Sequence, residues 1–142
     1  MPRHTAQIEI DATPARIWSL IASPESAQQQ NGLTVEFDPP PIATGTIARN
    51  IDNDTGEVIA HLTYVRVDPE RELTVESREV RATRTSRTTL EPITAKRTRV
   101  RTDLRYRVHG LLGFLAGPMT SNAIRHDLLA DLQYLKDAAE SD

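Results

Sequence analysis

Four side chains of this 142-residue chain have the types that an acid–base or oxyanion-binding site would use: His61, Tyr64, Arg87 and Tyr106. A cavity histidine titrates near neutral pH and can act as a general base. A tyrosine hydroxyl both donates and accepts, so Tyr64 or Tyr106 could orient a carbonyl or a phenol. An inward Arg87 would bind a ligand anion. Each also has an ordinary reading: a core tyrosine bonded to a backbone carbonyl, a solvated histidine, an arginine on an outer strand face. The four histidines lack tight ligand spacing with carboxylates, so no metal is expected, and no other cofactor is implied. With no cysteine, disulfides, zinc–thiolate centres and thiol nucleophiles are excluded.

The elements that must position these residues follow from periodicity and turn chemistry. Thr5 to Asp11 alternates, with Ala6, Ile8 and Ile10 on one face. Thr13-Pro14 then starts a short helix in which Thr13 caps and Pro14 takes the first turn, and Ser23-Pro24 repeats the signal for a second one running to about Gln30. Strands are expected at Leu33 to Phe37, Thr46 to Ile51, Glu57 to Val67, Glu72 to Val80, Arg84 to Leu90 and Thr98 to Val108. Asp52 to Gly56, Asp68 to Arg71 and Glu91 to Thr94 serve as turns. The last strand is the clearest. Val100, Thr102, Leu104, Tyr106 and Val108 share one face, and Arg99, Arg101, Asp103, Arg105 and Arg107 share the other. Tyr64 shares its face with Val58, Ala60 and Leu62, while His61 goes with Ile59, Thr63 and Val65. Both faces are partly apolar, so the inward one stays open.

After Gly110, Gly113, Gly117 and Pro118, the residues Ile124, Leu128, Leu132, Leu135 and Ala139 recur at helical spacing and form one apolar stripe. His126 falls on the opposite, solvent side. The regular Leu128 to Ala139 part of the stripe is expected to pack, and the Leu112 to Ala130 half to wall a pocket. Strands joined by short turns and closed by a long helix imply an antiparallel meander, α+β in class, over one domain spanning residues 1–142.

Composition bounds the partners. Aromatics make up only 4% of the chain, so its core must come from aliphatics and alanine. No apolar run approaches eighteen residues and no signal-peptide pattern is present, so membrane insertion is not expected and the simplest location is the cytoplasm. Between Arg78 and Arg107, ten basic residues meet three acidic ones, a net +7, against −10 for the remainder. The arginine row has no interleaved aromatics, so it reads as a solvated convex face paired with carboxylates such as Glu76 and Glu79. Nucleic acid is not the expected partner, and a protein or homodimer contact is the alternative.

Ile8-Glu9-Ile10 followed by Ala12-Thr13-Pro14-Ala15-Arg16-Ile17-Trp18, the Asp68-Pro69-Glu70-Arg71 turn, Leu90-Glu91-Pro92 before Thr98-Arg99-Val100, and Gly110-Leu111-Leu112-Gly113-Phe114-Leu115 together resemble the SRPBCC or START-like superfamily, in particular its bacterial polyketide cyclase/dehydrase-like members. The resemblance implies a helix-grip fold: a curved antiparallel sheet of about six to seven strands around a long C-terminal helix, with two short helices after the first strand. It further implies a small hydrophobic ligand, lipid- or polyketide-like, held between sheet and helix. Tyr106, Tyr64, His61, Arg87, Leu104, Trp18, Leu115 and Met119 are then the candidate contacts, although the tryptophan position usually packs. An aromatase/cyclase- or dehydratase-type enzyme in the same cavity is the first alternative. An interaction module using the arginine-rich face is the second.

Overall fold

The structure, a computed structural model, describes residues 3–22, 33–37, 42–79, 82–108 and 111–141, without the side chains of 33, 37, 108 and 111–123. In chain order the elements are β1 (Arg3–Ile10), α1 (Pro14–Ile21), β2 (Leu33–Phe37), β3 (Ile47–Asp52), β4 (Val58–Asp68), β5 (Glu72–Glu79), β6 (Ala82–Thr94), β7 (Arg97–Val108) and α2 (Leu111–Glu140). The strands form one curved antiparallel sheet in the order β1-β7-β6-β5-β4-β3-β2, and α2 lies chiefly over β1. The second short helix expected near Gln30 falls outside the described residues.

Local chemistry sets the element ends. Thr13 accepts a hydrogen bond from the Arg16 amide at 3.2 Å, and Pro14 begins α1, where no amide donor is needed. At the β3–β4 hairpin the Gly56 amide donates to the Asp52 carbonyl at 2.7 Å, with Gly56 in the left-handed region at φ 73°. One turn expectation is corrected. Glu91 to Thr94 continues β6, because a register shift between Pro92 and Thr94 relieves the ladder where proline has no amide to give.

The concave face carries the core. Ile10, Ile17 and Val100 are fully buried and pack with Ala6, Leu90, Leu128, Leu132 and Ala139, so the α2 stripe is a packing stripe. A second cluster joins Val35, Ala48, Tyr64 and Leu73. Trp18 and Ile21 touch both clusters from α1. Thr98 is fully buried, and its hydroxyl donates to the Ala12 carbonyl at 2.8 Å, tying β7 to the link before α1.

The far end of α2 is anchored by polar contacts. The Arg16 guanidinium donates to the Ala138 and Ser141 carbonyls at 3.4 Å each, which suits a cation at a helix C-terminus. Lys136 pairs with Glu140 at 2.6 Å and donates to the Glu9 carbonyl at 3.2 Å, while Glu140 accepts from the Asp11 amide at 2.9 Å.

The convex face is largely self-neutralising. Asp103 sits between Arg3 at 3.4 Å and Arg101 at 3.3 Å, and Glu9 between Arg97 and Arg99. Burial raises the Asp103 carboxyl, but the Thr5 hydroxyl and the two arginines outweigh it and hold the group below the usual carboxylate range. Carboxylates do pair with the arginines here, although Glu76 pairs within its own strand with Arg78, at 2.8 Å, and Glu79 lies on the concave side, paired with Arg84. Arg105 and Arg107 have no carboxylate partner among the described residues.

Candidate functional site: a cavity between sheet and helix

Between the concave sheet face and α2 lies a cavity of about 770 Å³, partly open to solvent. Its floor exists because short side chains from three neighbouring strands meet there: Ala60 on β4, Ser77 on β5 and Ser86 on β6. Larger side chains at these positions would close the space, as close-packed interiors normally do. Leu62, Val75 and Leu104 supply an apolar sheet wall, and Ile124 and Leu128 face them from α2.

The polar end is built around Arg84. Its guanidinium pairs with Glu79 at 3.0 Å and lies over the Tyr106 ring, 5.6 Å from the centroid, which is cation–π distance. Asp127 and Asp131 enter from α2, four residues apart, and Asn50 from β3. Burial, then the Asp127 charge, pushes the Asp131 carboxyl above its usual range, with Arg84 opposing. The buried Asn50 Oδ1 has no hydrogen-bond partner among the described residues.

The Asp131 shift has a sign that can be checked. A carboxyl raised in the folded state binds its proton more readily folded than unfolded. Its contribution to stability therefore falls as pH rises through the carboxylate range, from about 3.9 upward. Asp131→Asn is expected to show a slightly higher Tm than the parent at neutral pH, the difference vanishing near pH 3. The effect stays small because the residue keeps contact with water. Thermal unfolding at the two pH values reads it, and a lower Tm at neutral pH would contradict the assignment.

The expected site residues distribute unevenly. Leu104 lines the cavity, and Tyr106, half-buried, reaches it through Arg84. Tyr64 points to the concave side but sits in the second core cluster, where burial pushes its hydroxyl up to about 12. Trp18 is half-buried and packs between the two clusters. The side chains of Leu115 and Met119 lie outside the described residues, although their backbone belongs to α2. His61 is exposed on the convex side, the β4 face opposite Ala60, Leu62 and Tyr64.

Arg87 is a correction. Register places it opposite Asp103 and Thr74 on the convex face, where it binds Glu72 through Nε at 3.1 Å and Nη2 at 2.8 Å. That hydrogen bond is the main reason the Glu72 carboxyl lies below its usual range. The inward arginine is Arg84, which pairs in register with Tyr106. Parity could have found it, because residues three apart on a strand face opposite ways and only one of Arg84 and Arg87 can point inward. Asp131 was missed for a plainer reason: it lies one position before Leu132 of the apolar stripe and looks like solvated surface.

A curved seven-stranded antiparallel sheet gripping a C-terminal helix, with a cavity between them, defines a helix-grip protein of the START-like, or SRPBCC, class. The chain belongs to the family described as polyketide cyclase / dehydrase and lipid transport, whose model matches residues 1–140. It is similar in structure to a START superfamily protein from Mycobacterium smegmatis, with a TM-score of 0.76 at 14% identity over 97% of each chain. It is also similar to the Zhui aromatase/cyclase of a Streptomyces species, with a TM-score of 0.72 at 18% identity, covering 98% of this chain and 93% of that one. A norcoclaurine synthase mutant from Thalictrum aligns with a TM-score of 0.67 at 16% identity, over 97% of this chain and 93% of the other. No curated protein matches by sequence. No described helix is long and apolar enough to cross a membrane.

Proposed function

We propose that this chain binds a small, mostly apolar molecule between the sheet and α2, with the polar part of that molecule at the Arg84 end. The observation that carries this reading is the cavity itself. About 770 Å³ lies within the range of small-molecule sites, and its lining is divided about equally between apolar side chains and polar groups. Holding a ligand there needs no covalent chemistry from the protein. Native mass spectrometry of protein purified from its own host tests the reading directly. The expected result is a retained small molecule that is released on denaturation. Protein that carries nothing, and that also fails to bind Nile red (a neutral apolar dye), would overturn it.

A second reading, an aromatase/cyclase- or dehydratase-type activity on a polyketide-like substrate in the same cavity, is favoured by one specific juxtaposition. Arg84, stacked on Tyr106, faces a cavity that also receives Asp131, a carboxyl held toward its protonated form. An aldol cyclisation or dehydration needs a group to stabilise an enolate oxygen and a group to move a proton, and these residues have those capacities.

A further inference from the structure

We infer that the convex face carries a second site, an anion pocket that takes a phosphate group, and that it works independently of the cavity under α2. A depression of about 210 Å³ lies there, lined by Arg3, Thr74, Thr85, Arg87, Asp103 and Arg105. It exists because two short threonines, from β5 and β6, stand among long arginines from β1, β6 and β7. Arg3 lies directly opposite Arg105 in the β1–β7 register, and like charges so placed on one sheet face repel. Arg3 reaches Asp103 at 3.4 Å, whereas Arg105 has no carboxylate partner among the described residues. On its other side Arg105 is paired in register with Thr85, which is half-buried and whose hydroxyl makes no hydrogen bond among the described residues.

The carboxylates nearby are already committed. Asp103 accepts from the Thr5 hydroxyl at 2.7 Å and pairs with both Arg3 and Arg101. Glu72 takes Nε and Nη2 of Arg87 on one oxygen, and its other oxygen lies 3.3 Å from Arg66. These contacts hold Arg3 and Arg87 in place and leave the Nη1 group of each without a partner among the described residues. An anion between Arg3 and Arg105 removes their repulsion and meets donors that are otherwise unused. The tetrahedral oxygens of a phosphate accept from guanidinium groups on different strands at once, and from a hydroxyl at the base. A planar carboxylate engages one arginine edge at a time. No aromatic side chain lines the depression, so a ring attached to the phosphate gains no stacking surface and recognition rests on the phosphate itself. A free phosphate and the phosphate of a lipid headgroup meet that requirement alike.

Inorganic phosphate and acetate, each exchanged for chloride at constant ionic strength, test this by amide NMR of the nitrogen-15-labelled chain. Phosphate is expected to shift the Thr74, Thr85 and Arg105 amides saturably, and acetate to bind at least about fivefold more weakly. Arg105→Gln is expected to weaken phosphate binding about fivefold. Arg49→Gln removes the same charge from an arginine of β3 that pairs with Glu36, and should leave phosphate binding unchanged. Unaltered Nile red binding in both variants shows that fold and cavity are intact. Co-sedimentation with phosphatidylcholine vesicles, with and without phosphatidic acid, separates the two sources. Binding that needs phosphatidic acid and is lost in Arg105→Gln assigns the phosphate to a lipid headgroup, and binding of free phosphate alone assigns it to a soluble molecule. Three results would overturn the inference and leave the cavity reading untouched: neither phosphate nor vesicles binding, acetate binding as tightly as phosphate, or equal losses from the two arginine variants.

Discussion

Ser86→Trp is expected to lower the affinity for Nile red at least about tenfold while moving Tm by no more than a few degrees. Ser86 lines the cavity floor, flanked in register by Val75 and Leu104. An indole placed there grows into open space, so it avoids the penalty of about 1–3 kcal/mol that follows overpacking of a closed core. The space it takes is the depth into which a fused-ring dye must sink. Its neighbour Thr85 supplies the control, because successive strand residues face opposite ways and Thr85 lies on the convex side among Arg3, Arg87 and Arg105. Thr85→Trp should leave dye binding unchanged. Equal effects from the two variants would show that the dye is not bound in this cavity.

Ile17→Ala is expected to cost about 3 kcal/mol of stability. For a chain of this size that lowers Tm by about 10 °C. Ile17 is the one α1 residue that is buried, at 0% exposure, and it belongs to the cluster formed by β1, β6, β7 and α2. Removing its branched chain leaves a void where α1 meets α2, and the neighbours there are secured by other contacts and can collapse only in part. Leu20, half-buried on the same helix, should cost clearly less on the same truncation. Urea unfolding of the two variants separates them, and equal losses would mean that α1 is held by propensity and capping rather than by this contact.

Much of the framework could be read from the chain because its signals are local. The nine-residue alternation ending at Val108, the Thr13-Pro14 start and the Ile124 to Ala139 stripe each describe one element and the face it buries. The inward face of β4 could not be read, because a register shift between Tyr64 and Arg66 changes the phase of its alternation. Before the shift Ala60, Leu62 and Tyr64 face the core, and after it Val67 does, so a single parity cannot describe the strand. The site was less legible than the fold. A cavity depends on what is missing, and Ala60, Ser77 and Ser86 make a floor only once three strands are in register. Taken one at a time they are unremarkable small residues.

The anchoring of α2 at one end gives the grip a mechanical character. Arg16, Lys136 and Glu140 hold the helix near Ala138, whereas the cavity wall is carried by Ile124 to Asp131. At 1.5 Å per residue, Asp127 stands about 16 Å from that fixed point. The helix is thus a lever with a pinned fulcrum. A tilt of only about 5° there would shift the wall by about 1.4 Å, roughly the radius of a water molecule. Leu128 and Leu132 pack on the sheet between the far end of that wall and the anchor, so any change of angle toward a wider occupant is resisted by the core beneath it.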